Sequence, residues 1–215
     1  MSEEELGKLI EKNLAAQTVS TETGLLVAQK IKLITDRENI AFAIAGGLAM
    51  HLYGFERATK DVDFVAEKRL PLEVVRYLSF GGERYEIEIS GTKIDVDWIV
   101  RRDNYKEFYK QALADVVEFK DWQILTPEWL VILKYIAGRA KDRLDLLWLL
   151  QQKSLVKRKK VKENIVKVMG ELGAAGFLLG LQREYDLADV MGFRASGDEN
   201  ESYIPEDEEY PDYNE

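Results

Sequence analysis

The chain has 215 residues, of which 46% are hydrophobic and 32% charged, a composition typical of a soluble globular protein with one domain and a small appendage. It contains no cysteine, which excludes a disulfide framework and a thiolate zinc site, and its one histidine, His51, cannot form a zinc site alone. The net charge is −9, but residues 194–215 hold nine acids and one base, so residues 1–193 carry only −1. Overall acidity therefore does not exclude a nucleic-acid partner.

The beginning of the chain, Met1 to Leu6, is acidic and lacks the apolar core of a signal peptide. No later run predicts a membrane span. We therefore expect a cytoplasmic protein without a membrane partner.

The first predicted elements are helices within residues 3–36, because apolar residues recur there at helical spacing in two runs. The stretch from Thr18 to Gly24 is predicted to separate two helices, with Ser20 or Thr21 as a cap. We expect these helices to pack against a sheet.

A strand, a glycine turn and a short helix follow. Residues 40–45 predict a buried strand, and Leu48 to Tyr53 predict a helix closed by Gly54. The glycines between them, Gly46 and Gly47, let backbone N–H groups approach a ligand at the positive end of that helix. We expect these two residues to bind the phosphates of a nucleoside triphosphate.

The next strand carries two acids. Asp61 and Asp63 alternate with Val62 and Phe64, so both carboxylates are predicted on one face and both apolar side chains on the other. Adjacent carboxylates repel each other unless a cation lies between them, and Mg²⁺ prefers oxygen ligands of this kind. The pattern indicates a metal site.

Further along the chain, a helix is predicted from Pro71 through Leu78, ended by glycines 81 and 82. Residues 85–89 and 93–100 then predict two strands around a Ser-Gly turn. On the second strand Asp95 and Asp97 share one face. The simpler interpretation of these two acids is an exposed strand face in contact with water.

The segment Gly46-Gly47 followed by Arg57-Ala-Thr59-Lys-Asp61-Val-Asp63 resembles the active-site signature of the DNA polymerase beta-like nucleotidyltransferase superfamily. Its Gly-Gly form with Arg-X-Thr-X-Asp-X-Asp is closer to the AbiEii toxin-like branch than to the Gly-Ser form of polymerases. The resemblance covers residues 40–100 and, more loosely, 126–150. It implies an α+β fold, with a mixed β-sheet, helices packed on it and a C-terminal helical bundle.

The resemblance also implies the ligands of the site. A third carboxylate on a neighbouring strand matches Asp95, with Asp97 as the less favoured choice, so Asp61, Asp63 and Asp95 would be the catalytic and metal-binding acids. Two Mg²⁺ ions are expected, with Mn²⁺ as the substitute. Arg57 and Thr59 are expected to help bind the nucleotide.

The rest of the chain predicts more helix after a short strand pair. Asp103 can cap a helix to about residue 114, and residues 116–125 predict the strand pair. Thr126-Pro127-Glu128 then begins a helix that either runs to Leu150 or breaks at Gly138. In the broken form Asp142 would cap the second helix.

Residues of this helical part resemble the lysine and aspartate motifs of the AbiEii-like branch. Lys134 and Asp142 are expected, on that resemblance, to contact the nucleotide, with a surface position as the alternative. Lys141 and Asp145 could form an i, i+4 surface pair instead.

A basic run lies further on, with six Lys or Arg residues between Lys153 and Lys162. It would attract tRNA or other RNA in a salt-dependent way, although most such runs are solvated faces. Helices within residues 165–181 and 185–191 complete the bundle. The predicted organisation is a catalytic domain over residues 1–125, a helical domain over 126–193 and a disordered acidic tail over 194–215.

These patterns together predict a Mg²⁺-dependent nucleotidyltransferase that moves a nucleoside monophosphate from a triphosphate to a hydroxyl of RNA, tRNA or a protein. A role in a toxin–antitoxin pair would add an antitoxin or regulatory protein as partner. Two alternatives are a non-catalytic nucleotide-binding module of the same fold and a small-molecule nucleotidyltransferase of the antibiotic-modifying kind.

Overall fold

The structure is a computed structural model that describes residues 18–55, 57–79 and 81–196. Seven strands form one mixed sheet, in chain order β1 (Phe42–Ile44), β2 (Asp61–Ala66), β3 (Arg76–Tyr77), β4 (Glu83–Ile89), β5 (Thr92–Ile99), β6 (Val116–Phe119) and β7 (Trp122–Leu125). Their spatial order is β3-β4-β5-β2-β1-β7-β6. Within the described residues the helices are α1 (Thr21–Glu38), α2 (Gly46–Leu52), α3 (Lys106–Ala114), α4 (Pro127–Ala137), α5 (Ala140–Gln151) and α6 (Arg158–Ser196).

The centre of the sheet is β2, which pairs in parallel with β5 and antiparallel with β1. Its apolar face is completely buried, as Val62 and Phe64 both have 0% exposure. Phe64 contacts the rings of Phe42 and Trp98 at centroid distances of 5.6 and 5.7 Å. The predicted alternation on β2 and β5 is therefore confirmed, and this packing fixes which way the acids of both strands face.

The first described helix begins where the sequence indicates. The Ser20 hydroxyl accepts a hydrogen bond from the Thr23 N–H and caps α1, which ends at Asn39 in the left-handed region. Val27, Ala28 and Ile31 bury the inner face of α1 in the core. The other helix predicted within residues 3–17 lies outside the described residues.

The helix predicted from Pro71 to Leu78 is wrong. Arg76 and Tyr77 instead form β3, which pairs antiparallel with Arg84 and Glu83 of β4. The apolar spacing of this segment suits a helix, but an available strand edge satisfies its backbone in an extended form.

The segment after Thr126 forms two helices. The Thr126 side chain accepts a hydrogen bond from the Trp129 N–H at the start of α4, and Gly138, at φ 63°, ends that helix in the left-handed region. A single helix to Leu150 is therefore excluded. Because Arg139 is the N-cap of α5, Asp142 lies in its first turn and is not its cap.

The last helix, α6, is interrupted at Gly170, whose φ is 70° and ψ 164°. By length and composition alone, its segment Arg158–Gly192 could cross a membrane, contrary to the sequence expectation. This helix nevertheless packs Ile165, Leu181 and Ala188 into the core of the protein. We therefore interpret α6 as a helix of the globular body.

One cluster of buried side chains extends from Val19 to Ala188 and includes both the sheet and the later helices. The predicted fold class, a mixed sheet with packed helices followed by helices, is confirmed. The division into domains at residue 125 stays a prediction. Of the predicted tail, residues 194–196 belong to α6 and residues 197–215 lie outside the described part.

Candidate functional site

The predicted acids lie on one face of two adjacent strands. β2 and β5 run parallel in a register that pairs Asp61 with Asp95 and Asp63 with Asp97. Because side chains two residues apart share a face, all four carboxylates belong to the same side of the sheet. The sequence prediction that Asp95 or Asp97 would join the first two acids agrees with this register, which brings both of them to the site.

A residue that the sequence analysis did not single out lies among these acids. Arg84 is directly opposite Asp97 in the pairing of β4 with β5. Its Nε and Nη2 donate to the Asp97 carboxylate at 2.6 and 2.9 Å, its Nη1 donates to Asp95 at 2.7 Å, and its Nη2 also donates to Asp61 at 3.0 Å. The hydrogen bonds with Asp97 raise the pKa of Arg84 further above its ordinary value. The guanidinium is thus the cation of this acidic cluster.

The glycine turn contacts the remaining acid. A Cβ on Gly46, at φ 51°, would lie 1.8 Å from Oδ2 of Asp63. The N–H of Gly47 donates to the same oxygen at 3.3 Å. Burial raises the pKa of Asp63, and the negative charge of Asp61 raises it further. Asp63 therefore accepts the N–H that the sequence analysis assigned to a nucleotide phosphate, and only glycine fits at position 46.

Thr59 positions Asp61. The Thr59 side chain is 5% exposed, and its hydroxyl is 3.1 Å from the Asp61 carbonyl and 3.4 Å from Oδ1 of the same residue, which it can reach as a donor. A Cβ on Gly47 would lie 2.6 Å from this hydroxyl. The small turn residue thus leaves room for a threonine that orients a site carboxylate.

His51 links the same turn to α1. Its Nδ1 is 3.3 Å from the Thr21 hydroxyl, and its Nε2 contacts the Arg57 carbonyl. His51 therefore packs between α1 and the loop that precedes β2.

A buried ion-pair network forms the helical wall of the site. Lys134 on α4 is 7% exposed, and its Nζ lies 2.9 Å from Asp142 and 2.5 Å from Asp145, both 0% exposed on α5. Arg57 donates two hydrogen bonds to the Asp145 carboxylate, from Nε at 2.5 Å and from Nη2 at 2.8 Å. The Nε of Arg139 lies 2.5 Å from the Asp142 carboxylate. We call these five residues the buried network.

The buried network corrects two alternatives of the sequence analysis. Lys134 and Asp142 are not surface residues, and Asp145 pairs with Lys134 and Arg57 instead of forming an i, i+4 pair with Lys141. The break at Gly138 explains this, because it turns α5 back so that its first two turns meet Lys134.

Two lysines of the helices, Lys134 of the buried network and the exposed Lys141, act by their charge on the acids of the sheet. Lys134 and Lys141 both lower the pKa of Asp63 by their charge, against the larger effects of its burial and of Asp61. Burial raises the pKa of Asp142, but the hydrogen bond from Arg139 and the charge of Lys134 outweigh it and leave that pKa below its usual value. Cationic side chains on the helices therefore face acids on the sheet.

Comparison with known proteins gives a modest likeness to solved structures alone. No protein-family model matches the chain, and no curated protein matches it. Among solved structures, the chain is similar to an antigenic nucleotidyltransferase-like protein from Paracoccidioides brasiliensis, with 17% identity, a TM-score of 0.41, and coverage of 74% of this chain and 94% of that one. A likeness of this size carries no argument about activity or substrate.

The acids fit a hard divalent cation in chemistry, since carboxylate oxygens are the ligands that Mg²⁺ prefers. Their present partner is different, because Asp61, Asp95 and Asp97 all bind the guanidinium of Arg84. Within residues 18–55, 57–79 and 81–196, no group of three or more His, Cys, Asp or Glu side chains is arranged to hold a metal ion. The guanidinium uses Oδ2 of Asp61, Oδ2 of Asp95 and both oxygens of Asp97, so a metal bound to these atoms would compete with it.

The basic run from Lys153 to Lys162 is partly engaged with the protein itself. Arg158 donates to both oxygens of Asp189 at 2.7 and 2.8 Å and covers the ring of Tyr185 at 4.3 Å. Lys160 lies 3.4 Å from Asp115. The surface available to a polyanion is therefore smaller than the sequence suggests.

Proposed function

We propose that this protein is a metal-dependent nucleotidyltransferase that moves a nucleoside monophosphate from a triphosphate to a hydroxyl group. The observation that carries the proposal is the parallel register of β2 and β5, which gathers four aspartates beside a glycine turn. The acids come from two strands and face helices with cationic side chains. This arrangement suits phosphoryl transfer, because that reaction is accelerated by fixed charges that stabilise the transition state and by correct positioning of the reacting groups.

In the proposed reaction the acceptor oxygen attacks the α-phosphorus, the bond between the α-phosphorus and its bridging oxygen breaks, and pyrophosphate leaves. Asp95 accepts the proton of the attacking hydroxyl, and its 40% exposed side chain can reach an acceptor in solution. Asp97 is the second candidate for this role. Asp61 and Asp63 are the proposed principal metal ligands, and Thr59 holds Asp61 in orientation.

Mg²⁺, when bound, would withdraw charge from the phosphoryl oxygens and favour loss of the acceptor proton, with Mn²⁺ as a substitute. Asp61, Asp63 and Asp95 would hold it, with Asp97 adjacent. Gly46 and Gly47 let Asp63 and Thr59 approach the turn closely, while Arg57 and Lys134 would supply positive charge to the phosphates and Asp142 holds Lys134 in place.

The acceptor belongs to the same proposal. Within the run from Lys153 to Lys162, RNA or tRNA is favoured by the exposed side chains of Lys157, Lys159 and Lys162. A protein hydroxyl, or a small molecule of the antibiotic type, would use the same chemistry. Membership of the AbiEii-like branch, a toxin–antitoxin role with an antitoxin or regulatory partner, and a cytoplasmic location stay hypotheses.

One observation favours the second candidate, a nucleotide-binding module without turnover. Unpaired carboxylates crowded on a sheet destabilise it, and that cost argues for a metal. Arg84 reduces the repulsion without one, since it pairs with three of the four acids. The two candidates differ in turnover and must be separated by experiment.

The decisive experiment incubates the protein with each α-³²P-labelled triphosphate, Mg²⁺ and total tRNA, and follows label transfer to RNA and to protein by gel. We expect transfer that EDTA abolishes. The double variant Asp61→Asn/Asp63→Asn should lose at least 100-fold in rate, in line with the loss expected for a group acting on the reacting atoms.

The matched control is Asp36→Asn, which neutralises an exposed acid on α1 that pairs with Lys32. This variant should keep its rate. Nucleotide binding without any transfer, unchanged by EDTA, would establish the binding module, and equal transfer by the double variant would exclude Asp61 and Asp63 as catalytic acids.

A further inference from the structure

The arrangement around Arg84 has the form of an occupied cation site. Three carboxylates from two strands, those of Asp61, Asp95 and Asp97, each lie within 3.0 Å of a guanidinium nitrogen, and all three nitrogens of the group are used. A planar fork of donors is well suited to several carboxylates at once. The side chain of Arg84 is 19% exposed, so the group is shielded but not sealed.

Arg84 uses Oδ2 of Asp61, Oδ2 of Asp95 and both oxygens of Asp97, so a divalent ion on these oxygens would compete with the guanidinium. A cation held by Asp61 and Asp95 would lie beside Arg84. The two positive charges would be at contact distance, with little water between them to screen the repulsion. The net charge of the cluster also favours replacement of the guanidinium by a divalent cation. Three carboxylates and one guanidinium sum to −2, a charge that leaves the cluster attractive to a further cation.

The cluster is also accessible. The side chain of Asp95 is 40% exposed, whereas those of Asp61 and Asp97 are 16% and 13% exposed, so the opening lies on the Asp95 side. A hydrated ion can therefore reach an oxygen that Arg84 already uses. The long flexible stem of an arginine permits its head to leave while its backbone stays in β4.

We propose that Arg84 is an internal competitor for the divalent cation, so that its guanidinium must leave the carboxylates before the metal binds. This inference rests on the metal-dependent function proposed above. The apparent metal affinity is then reduced by the fraction of molecules in which the guanidinium occupies the cluster. Arg84 thereby offsets part of the negative charge of the acids before a metal binds and sets the metal concentration at which the site fills.

The test measures binding of Mn²⁺ to the EDTA-treated, dialysed full chain by electron paramagnetic resonance of the free ion. Arg84→Met, which removes the charge and keeps an apolar stem, should bind Mn²⁺ at least tenfold more tightly than the wild type. Arg84→Lys, which keeps one charge but loses the fork, should fall between the two. Binding by Arg84→Met with none by the wild type would support the proposal in its strongest form.

Arg76→Met is the matched control. Arg76 is exposed on β3 and lies opposite Arg84 in the strand pairing, so this change removes the same charge from the same face one strand further from the acids. Its Mn²⁺ affinity should stay within twofold of the wild type. A tenfold gain in this control as well would assign the effect to general charge and overturn the inference.

Thermal unfolding gives a second readout that does not depend on activity. Without metal, Arg84→Met should unfold at a lower temperature than the wild type, because its three carboxylates lose their counterion. Saturating Mn²⁺ should raise its midpoint by more than it raises that of the wild type. If Arg84→Met does not fold without metal, Arg84→Lys carries both measurements.

The outcomes separate this inference from the proposed function. Equal Mn²⁺ affinity in the wild type and both Arg84 variants would overturn the inference while leaving transfer activity intact. Mn²⁺ binding that follows the prediction, without any nucleotidyl transfer, would contradict the proposed enzymatic function but support the competition between Arg84 and the metal. Absence of Mn²⁺ binding in every variant would overturn both.

Discussion

Lys134 offers the sharpest test of the buried network. Its ammonium is 2.9 Å from Asp142 and 2.5 Å from Asp145, and the side chains of both acids are at most 1% exposed. Lys134→Met would remove the shared cation and leave two buried carboxylates with fewer partners. Removing one partner of a buried ion pair costs about 3–5 kcal/mol of unfolding free energy.

We expect the lower end of this range, because Asp145 keeps Arg57 and Asp142 keeps Arg139. A loss of about 3 kcal/mol in a chain of this size corresponds to about 6–12 °C in the unfolding midpoint. Urea denaturation followed by circular dichroism would measure it, and an added Asp142→Asn should recover part of the loss.

Lys141→Met is the matched control, since Lys141 is exposed on α5. It should change the free energy of unfolding by less than about 0.5 kcal/mol. If Lys134→Met cost no more than this control, the ammonium would contribute nothing to stability and the network would be a coincidence of side-chain placement.

Two further predictions concern the turn and the tyrosines. Gly46→Ala should unfold at a lower temperature in a thermal scan and lose any transfer activity, because its Cβ would lie 1.8 Å from the Asp63 carboxylate. Gly54→Ala is the control, since Gly54 also has a positive φ but a Cβ there would meet nothing within 4 Å. It should show only the smaller effect of backbone strain. Burial raises the pKa of Tyr109 to about 12, so the folded state keeps its phenol proton where the unfolded chain, with a pKa near 10, has lost it. Stability is therefore complete below pH 10 and falls as the pH rises toward 12, by about 3 kcal/mol for this tyrosine, and Tyr109→Phe should remove that part of the alkaline slope in urea titrations at pH 9 to 12.

The sequence predicted the parts of the site that depend on how apolar and polar residues alternate along a short segment. Alternation alone placed Asp61 and Asp63 opposite Val62 and Phe64, because a strand with one buried face tolerates only one register. The cap at Ser20 is read from a few adjacent residues in the same way.

The missed features depend on pairing between distant segments. Nothing near Arg84 in the chain marks it, since its role follows from lying opposite Asp97 across a hairpin and reaching Asp61 on the strand beyond. The one available signal was a basic residue on a strand whose hairpin partner carries two acids, because opposite charges pair across strands. The residues of β3 were predicted as helix for a related reason. Their extended conformation depends on pairing with the edge of β4, which the local sequence does not show.

The passage from sheet to helices is very short. Leu125 ends β7, Thr126 is the cap, and Pro127 already belongs to α4, while the Tyr53 hydroxyl ties down the Leu125 carbonyl at 3.0 Å. One residue gives no room for a hinge between two lobes. The helices that carry the buried network are therefore held close to the sheet that carries the acids, and we expect a substrate to be accommodated by side-chain rotation rather than by movement of the helices against the sheet.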